Sequence, residues 1–283
     1  MMVPCLHPST AGRPLDLPQY LMLARQTGFT MADCDVAEVK RWVDKEGING
    51  VQRRFQAAGV TWAGFGLPLN LLAEDAVFER ALAQLPAYCE TAAAFGVTRT
   101  VTWLPPSMDG DPAPWLLRVA QRTRTVCDLL ARYPIRLGLE FVGPHHLRHQ
   151  RYPFIYSLND LLRLIDVVDR PNAGVLLDSY HWYTAETPTV ELGQLPAWRV
   201  VEVHVNDTAL PPKEAHDQER LLPGEGRIDL RTFLGWLHTA GYQGPLSLEI
   251  LRKSPPAEPP EVVARRALEA LSSLIRHLDA DGP

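Results

Sequence analysis

Four residues of this 283-residue chain sit where chemistry is expected: Glu140, Asp178, His204 and Glu249. Each interrupts a short alternation of apolar side chains, in LGLEF, VLLDS, VEVHV and PLSLEI. Successive side chains of a strand point to opposite faces. Leu137, Leu139 and Phe141 therefore leave Glu140 on the other face, and Val175 with Leu177 leaves Asp178. Val201, Val203 and Val205 leave His204, and Leu246, Leu248 and Ile250 leave Glu249. All four fall at the carboxyl ends of their runs. Three carboxylates converging in a partly buried place would repel one another and take up protons unless a cation neutralised them. A divalent ion meets that need. Mostly oxygen donors with one imidazole suit Mn2+ or Mg2+ first, with Co2+ or Zn2+ also admissible, and leave two positions of a six-coordinate ion for substrate or water.

The elements that must bring these residues together are legible as a rhythm. Strand-like runs occur at MVPCLH, GFTMADC, VTWAGFGLP, TRTVTWL, IRLGLEF, AGVLLDS, RVVEVHV and GPLSLEI. Helical patterns lie between them, among them PQYLMLARQ, EVKRWVDKEGINGVQRRFQAAG, AVFERALAQLPAYCETAAAFG and PWLLRVAQRTRTVCDLLARY, and PPEVVARRALEALSSLIRHL closes the chain. Gly59, Gly96 and Gly241 are placed to end helices just before strands. Repeated βα units require parallel pairing, and eight of them predict an α/β fold, a (β/α)8 TIM barrel forming a single domain over residues 1–283. In such a barrel, residues at the carboxyl ends of the strands line one mouth. Glu202 faces inward one layer below His204 and is expected to be a buried ion-pair partner, with Arg136 as the candidate cation.

Composition narrows the class. Hydrophobic residues make up 46% and charged residues 22%, enough for one large core. The formal net charge of −5 opposes nucleic-acid binding, which depends on clustered Lys and Arg, and favours a small substrate. Four scattered cysteines without a CxxC pair suggest neither a disulfide framework nor a thiolate metal site. The N-terminus lacks signal-peptide character and no apolar run approaches the roughly 20 residues of a membrane span, so a cytoplasmic protein is expected. A homo-oligomer is compatible with all of this.

The run from LGLEFVGP through LLDSYHWY, VEVHVND and LLPGEGRIDL to GPLSLEI resembles the xylose-isomerase-like TIM-barrel superfamily, in particular its sugar phosphate isomerase/epimerase members; the first half shares only the βα rhythm. The superfamily includes ketose 3-epimerases, hydroxypyruvate isomerase, inosose dehydratase and, more distantly, endonuclease IV. The resemblance implies a metal held by Glu140, Asp178, His204 and Glu249. It also implies acid/base roles for Glu140 and Glu249, and substrate contacts from His181 in DSYH and Arg220 in RLLPGEG. The expected function is a metal-dependent isomerase or epimerase of a sugar or sugar phosphate, acting by proton transfer through a metal-stabilised enediolate. An inosose-dehydratase-like lyase is the alternative, followed by an endonuclease-IV-like phosphodiesterase or a non-catalytic sugar-binding subunit. Trp103 and Trp182 are candidate pocket walls, and His7, His145, His146 and Arg148 candidate anion contacts. The PGEG glycines allow backbone amides to approach a ligand or simply make a turn.

Overall fold

The computed structural model describes residues 1–280. Its strands are β1 Val3–Cys5, β2 Met31–Ala32, β3 Thr61–Trp62, β4 Phe65–Gly66, β5 Arg99–Leu104, β6 Ser107–Met108, β7 Arg136–Phe141, β8 Tyr152–Pro153, β9 Ala173–Asp178, β10 Val200–His204 and β11 Pro245–Ser247. Seven pair in parallel in the order β1-β11-β10-β9-β7-β5-β4. The ring closes through β2, where the Leu6 N–H donates to Met31 O at 2.9 Å and the Asp33 N–H to Leu6 O at 3.0 Å, and through the parallel β2 to β3 pair. β3 and β4 are two pieces of one barrel strand interrupted at Gly64. A Cβ there would lie 2.7 Å from Glu202 Oε2 and 3.0 Å from Arg99 Cγ, so the glycine admits those side chains into the barrel. The eight expected strands and the (β/α)8 barrel are thus present.

The helices are α1 Leu17–Thr27, α2 Val36–Glu46, α3 Ile48–Ala58, α4 Asp75–Ala94, α5 Pro112–Leu130, α6 Leu158–Val168, α7 Ser179–Thr184, α8 Thr189–Gln194, α9 Leu230–Thr239 and α10 Pro260–Ala280. They form an outer layer in which α10 packs against both α1 and α9. Between the layers lies a continuous apolar core that includes the fully buried Leu137, Leu139, Phe141, Phe233 and Leu246. This burial is the main stabilising term of such a fold. Gly59, Gly96 and Gly241 each adopt positive φ after a helix, as expected.

Three expectations need correction. The run from Glu38 to Gly59, expected as one helical stretch, is two helices, because Gly47 at φ +73° takes a conformation that breaks the first and opens the second. The last barrel strand ends at Ser247, so Glu249 stands two residues beyond it in a tight turn whose Glu249 N–H donates to Ser247 O. Arg136 does not pair with Glu202: its guanidinium donates to the carbonyls of Trp198 and Val200. A short antiparallel ladder, β6 with β8, was not anticipated; it joins the loops that follow β5 and β7 beside the barrel mouth.

Candidate active site

Parallel register brings the predicted residues level with one another. His204 is the partner of Asp178 across β10 and β9, and Glu140 ends the central stretch of β7 beside Trp103 on β5. One donor atom from each of Glu140, Asp178 and His204 lies within 4.8 Å of the other two, and all three residues are buried. Glu249 reaches the same point from its turn, with Oε2 at 3.4 Å from His204 Nδ1. The imidazole is aimed: Nδ1 faces the carboxylates of Glu140, Asp178 and Glu249, and Nε2 faces Glu202 Oε1 at 3.7 Å.

Several of these atoms have no hydrogen-bond partner although they are buried, namely Glu140 Oε1, both ring nitrogens of His204 and Glu202 Oε2. Such groups are costly when unpaired. An unpartnered carboxylate oxygen and an unpartnered Nδ1 converging beside two further carboxylates form a donor set that fits a divalent cation. The protein alone compensates in part. Burial, reinforced by Asp178 and Glu249, pushes the Glu140 carboxyl well above the usual carboxylate range. Burial acts upward on Glu249 too, but His204 and Arg220 outweigh it and hold that carboxyl well below the usual range. Burial acts downward on His204, and Glu249 and Glu202 reverse it, so its imidazole stays protonated far above its ordinary value.

Arg220 is the other compensating cation. Nη1 donates to Asp178 Oδ2 at 2.7 Å and Glu249 Oε2 at 2.8 Å, and Nη2 donates to Asp217 Oδ1 at 2.7 Å. Asp217 carries no signal in the sequence beyond lying three residues before Arg220. His181, in the first turn of α7, accepts the Gly143 N–H on Nδ1 at 3.3 Å. Its Nε2 lies 3.8 Å from Glu140 Oε2 and 3.5 Å from Arg220 Nη2. Burial lowers the His181 pKa, which favours the neutral imidazole. Asn206 continues the alternation of Glu202 and His204 in the sequence without a role being readable there: Nδ2 donates to Asp178 Oδ1 at 3.0 Å, while the Tyr180 N–H donates to the same oxygen at 2.6 Å.

Glu140, His181, Asp217, Arg220 and Glu249 line a cavity of about 370 Å³. Trp103, 59% exposed, lines the cavity, whereas Trp182 is buried against Phe233 and serves the core. His7 stacks near His204, with ring centroids 5.4 Å apart, and burial lowers its pKa to about 4. Arg148 is spent on the Gly143 and Thr184 carbonyls and the Tyr156 ring, His145 on Glu186 at 3.4 Å, and His146 lies against His216. The PGEG amides face inward: the Gly224 and Gly226 N–H groups donate to Asp207 Oδ2 and the Ile228 N–H to Asp207 Oδ1. That carboxylate, unremarked in the sequence, fixes the turn that carries Arg220 to the mouth.

Comparison with known proteins agrees with this architecture. A xylose isomerase domain protein from Alicyclobacillus acidocaldarius is 43% identical, with 99% of this chain and 100% of that one superposed at a TM-score of 0.94. The inosose isomerase of Bacillus subtilis is 29% identical over 126 residues, 44% of this chain and 43% of that protein. The 3-dehydroshikimate dehydratase of Pseudomonas putida is 32% identical over 150 residues, 52% of this chain and 23% of that protein. The match spans less than half the length of both curated relatives. Residues 21–274 match the family described as xylose isomerase-like TIM barrel, and with the near-complete superposition this extent shows that the chain belongs to it.

Proposed function

We propose that this protein is a metal-dependent isomerase or epimerase of a sugar or cyclic keto-polyol. The carrying observation is the meeting of Glu140, Asp178, His204 and Glu249 at one barrel mouth that opens on a cavity with His181 and Arg220 in its wall. Glu140, Asp178, His204 and Glu249 would hold a divalent ion, with Mn2+ or Mg2+ favoured by the oxygen-rich donors. Such an ion, when bound, supplies a Lewis acid for adjacent carbonyl and hydroxyl oxygens.

The remaining work falls to the side chains. One of Glu140 and Glu249 takes the proton from the carbon next to the substrate carbonyl, and the electron pair moves onto the C–O unit to give an enediolate. The other returns a proton, either to the opposite face of the same carbon or to the neighbouring carbon. The His181 imidazole and the Arg220 guanidinium orient the substrate oxygens. The partial likeness to a dehydratase supports a second reading, in which the same first step is followed by loss of hydroxide from the β-carbon.

Deuterium uptake from solvent by inososes and ketoses, followed by NMR, reports the shared first step. Glu140→Gln and Glu249→Gln should each abolish turnover while retaining metal. With one epimer, the variant lacking the returning acid should still exchange the proton with solvent, and the other should not. The asymmetry should reverse with the opposite epimer. Equal loss of exchange in both variants with both epimers would refute the two-base assignment, and product analysis separates isomer from dehydrated compound.

A further inference from the structure

The cavity is lined by side chains of two kinds. Trp103, Pro105, Pro106, Val142, Leu147 and Leu251 offer apolar surface suited to the carbon-bound hydrogens of a sugar or cyclitol ring. Glu140, Asp217 and Glu249 line it with Arg220, whose guanidinium also pairs with the buried Asp178. Arg220 is the one guanidinium or ammonium group among the described residues that line the cavity. Its charge is already shared among Asp178, Glu249 and Asp217 at 2.7 to 2.8 Å. With all four carboxylates ionised around a divalent ion, these groups and Arg220 still carry one formal negative charge.

The devices that commonly receive phosphate or carboxylate groups are committed elsewhere. The Gly224 and Gly226 amides are taken by Asp207, and the Tyr180 N–H at the start of α7 is taken by Asp178. Arg148, near the mouth in sequence, donates to Gly143 O and Thr184 O. At the exposed rim His149 Nδ1 pairs with the His146 carbonyl, and Gln150 offers a neutral amide suited to a hydroxyl. We infer that this cavity selects neutral keto-polyols, free ketoses or ketocyclitols, and rejects their phosphates and carboxylate analogues. The inference rests on the sugar-processing reading above and names its substrate class. A net negative receptor with no uncommitted fixed cation repels an anion, and a lining that combines apolar with polar side chains fits a ring that offers both carbon-bound hydrogens and hydroxyl groups.

Calorimetric titration of the Mn2+-loaded and metal-free protein with a 2-ketoinositol and D-fructose, against fructose 6-phosphate and 3-dehydroshikimate, tests it directly. At least one neutral compound should bind at least about tenfold tighter than either anion. Gln150→Lys places an ammonium at the rim and should narrow the gap about three- to tenfold by improving the anions alone. Equal or tighter binding of an anion, or no binding of either neutral compound, overturns the inference. Neutral binding without deuterium exchange in any compound would leave this selectivity standing and defeat the catalytic reading instead.

Discussion

At the scale of single residues, Arg220 does two jobs that pull against each other. It faces the cavity, yet it is buried and neutralises Asp178, Glu249 and Asp217. Removing one partner of a buried ionic cluster leaves the others uncompensated, at a cost of about 3–5 kcal/mol. Arg220→Ala is therefore expected to lower the thermal midpoint of the metal-free protein sharply. Added Mn2+ should recover much of the loss, because the ion supplies the missing positive charge. Thermal scans with and without metal check this, and an equal loss in both states would show that Arg220 acts by packing alone. Glu202 makes a second case. Its carboxylate stands at 3.7 Å from His204 Nε2, on the side away from the acids, where it favours the Nε2–H tautomer that turns the Nδ1 lone pair toward the metal donors. Glu202→Leu should weaken Mn2+ binding about 10- to 100-fold, and Glu202→Gln, which keeps an acceptor, should recover much of it. Titration by electron paramagnetic resonance measures the affinity without any turnover. Identical affinities in the two variants would remove the positioning role.

At the scale of elements, the candidate site was legible where strand periodicity operates and illegible where it stops. Asp178 and His204 end their strands and Glu140 stands one residue before the end of its own, and all three could be read because the alternation fixes the face. Glu249 was reached by the same reasoning although it lies past its strand, because Leu248 and Ile250 stay buried around it and preserve the alternation. Asp217 and Asp207 could not be found this way. They belong to a long connection in which position is set by side-chain hydrogen bonds rather than by a repeat. The break between α2 and α3 was hidden for a related reason: apolar spacing continues across Gly47, and only its backbone angle ends the helix. The turn held by Asp207 can be probed at Gly226, where a Cβ would collide with Asp207 Oδ1 and the Thr208 carbonyl. Gly226→Ala should cost about 1–3 kcal/mol by urea denaturation. It should also raise KM, because Arg220 rides on the same connection. A loss of stability with unchanged kinetics would separate the turn from the site.

At the scale of the whole molecule, the barrel and its helical layer enclose all four thiols: Cys5, Cys34, Cys89 and Cys127 are free and buried. Among the described residues no helix is long and apolar enough to cross a membrane. Buried as they are, the cysteines pack in the core and resist ionisation. Burial, reinforced by Asp128 at one and Glu90 at the other, pushes Cys127 and Cys89 each up to about 12. Burial also raises Cys5 and Cys34 well above the ordinary thiol value. Once unfolded, each thiol ionises near its usual value of about 8.5. Between that pH and about 12 the unfolded chain releases protons that the folded chain retains, so stability must fall as pH rises through this window. The loss is about 1.4 kcal/mol per thiol for each pH unit above the unfolded value. Urea midpoints taken at pH 8 and pH 10 should therefore decline steeply, and Cys127→Ala should decline less steeply than the parent. In the same window the folded protein should react slowly with a thiol reagent, and all four cysteines should react at once after unfolding. A flat midpoint between the two pH values, or fast labelling of the native protein, would mean that the barrel opens locally often enough for its thiols to meet solvent.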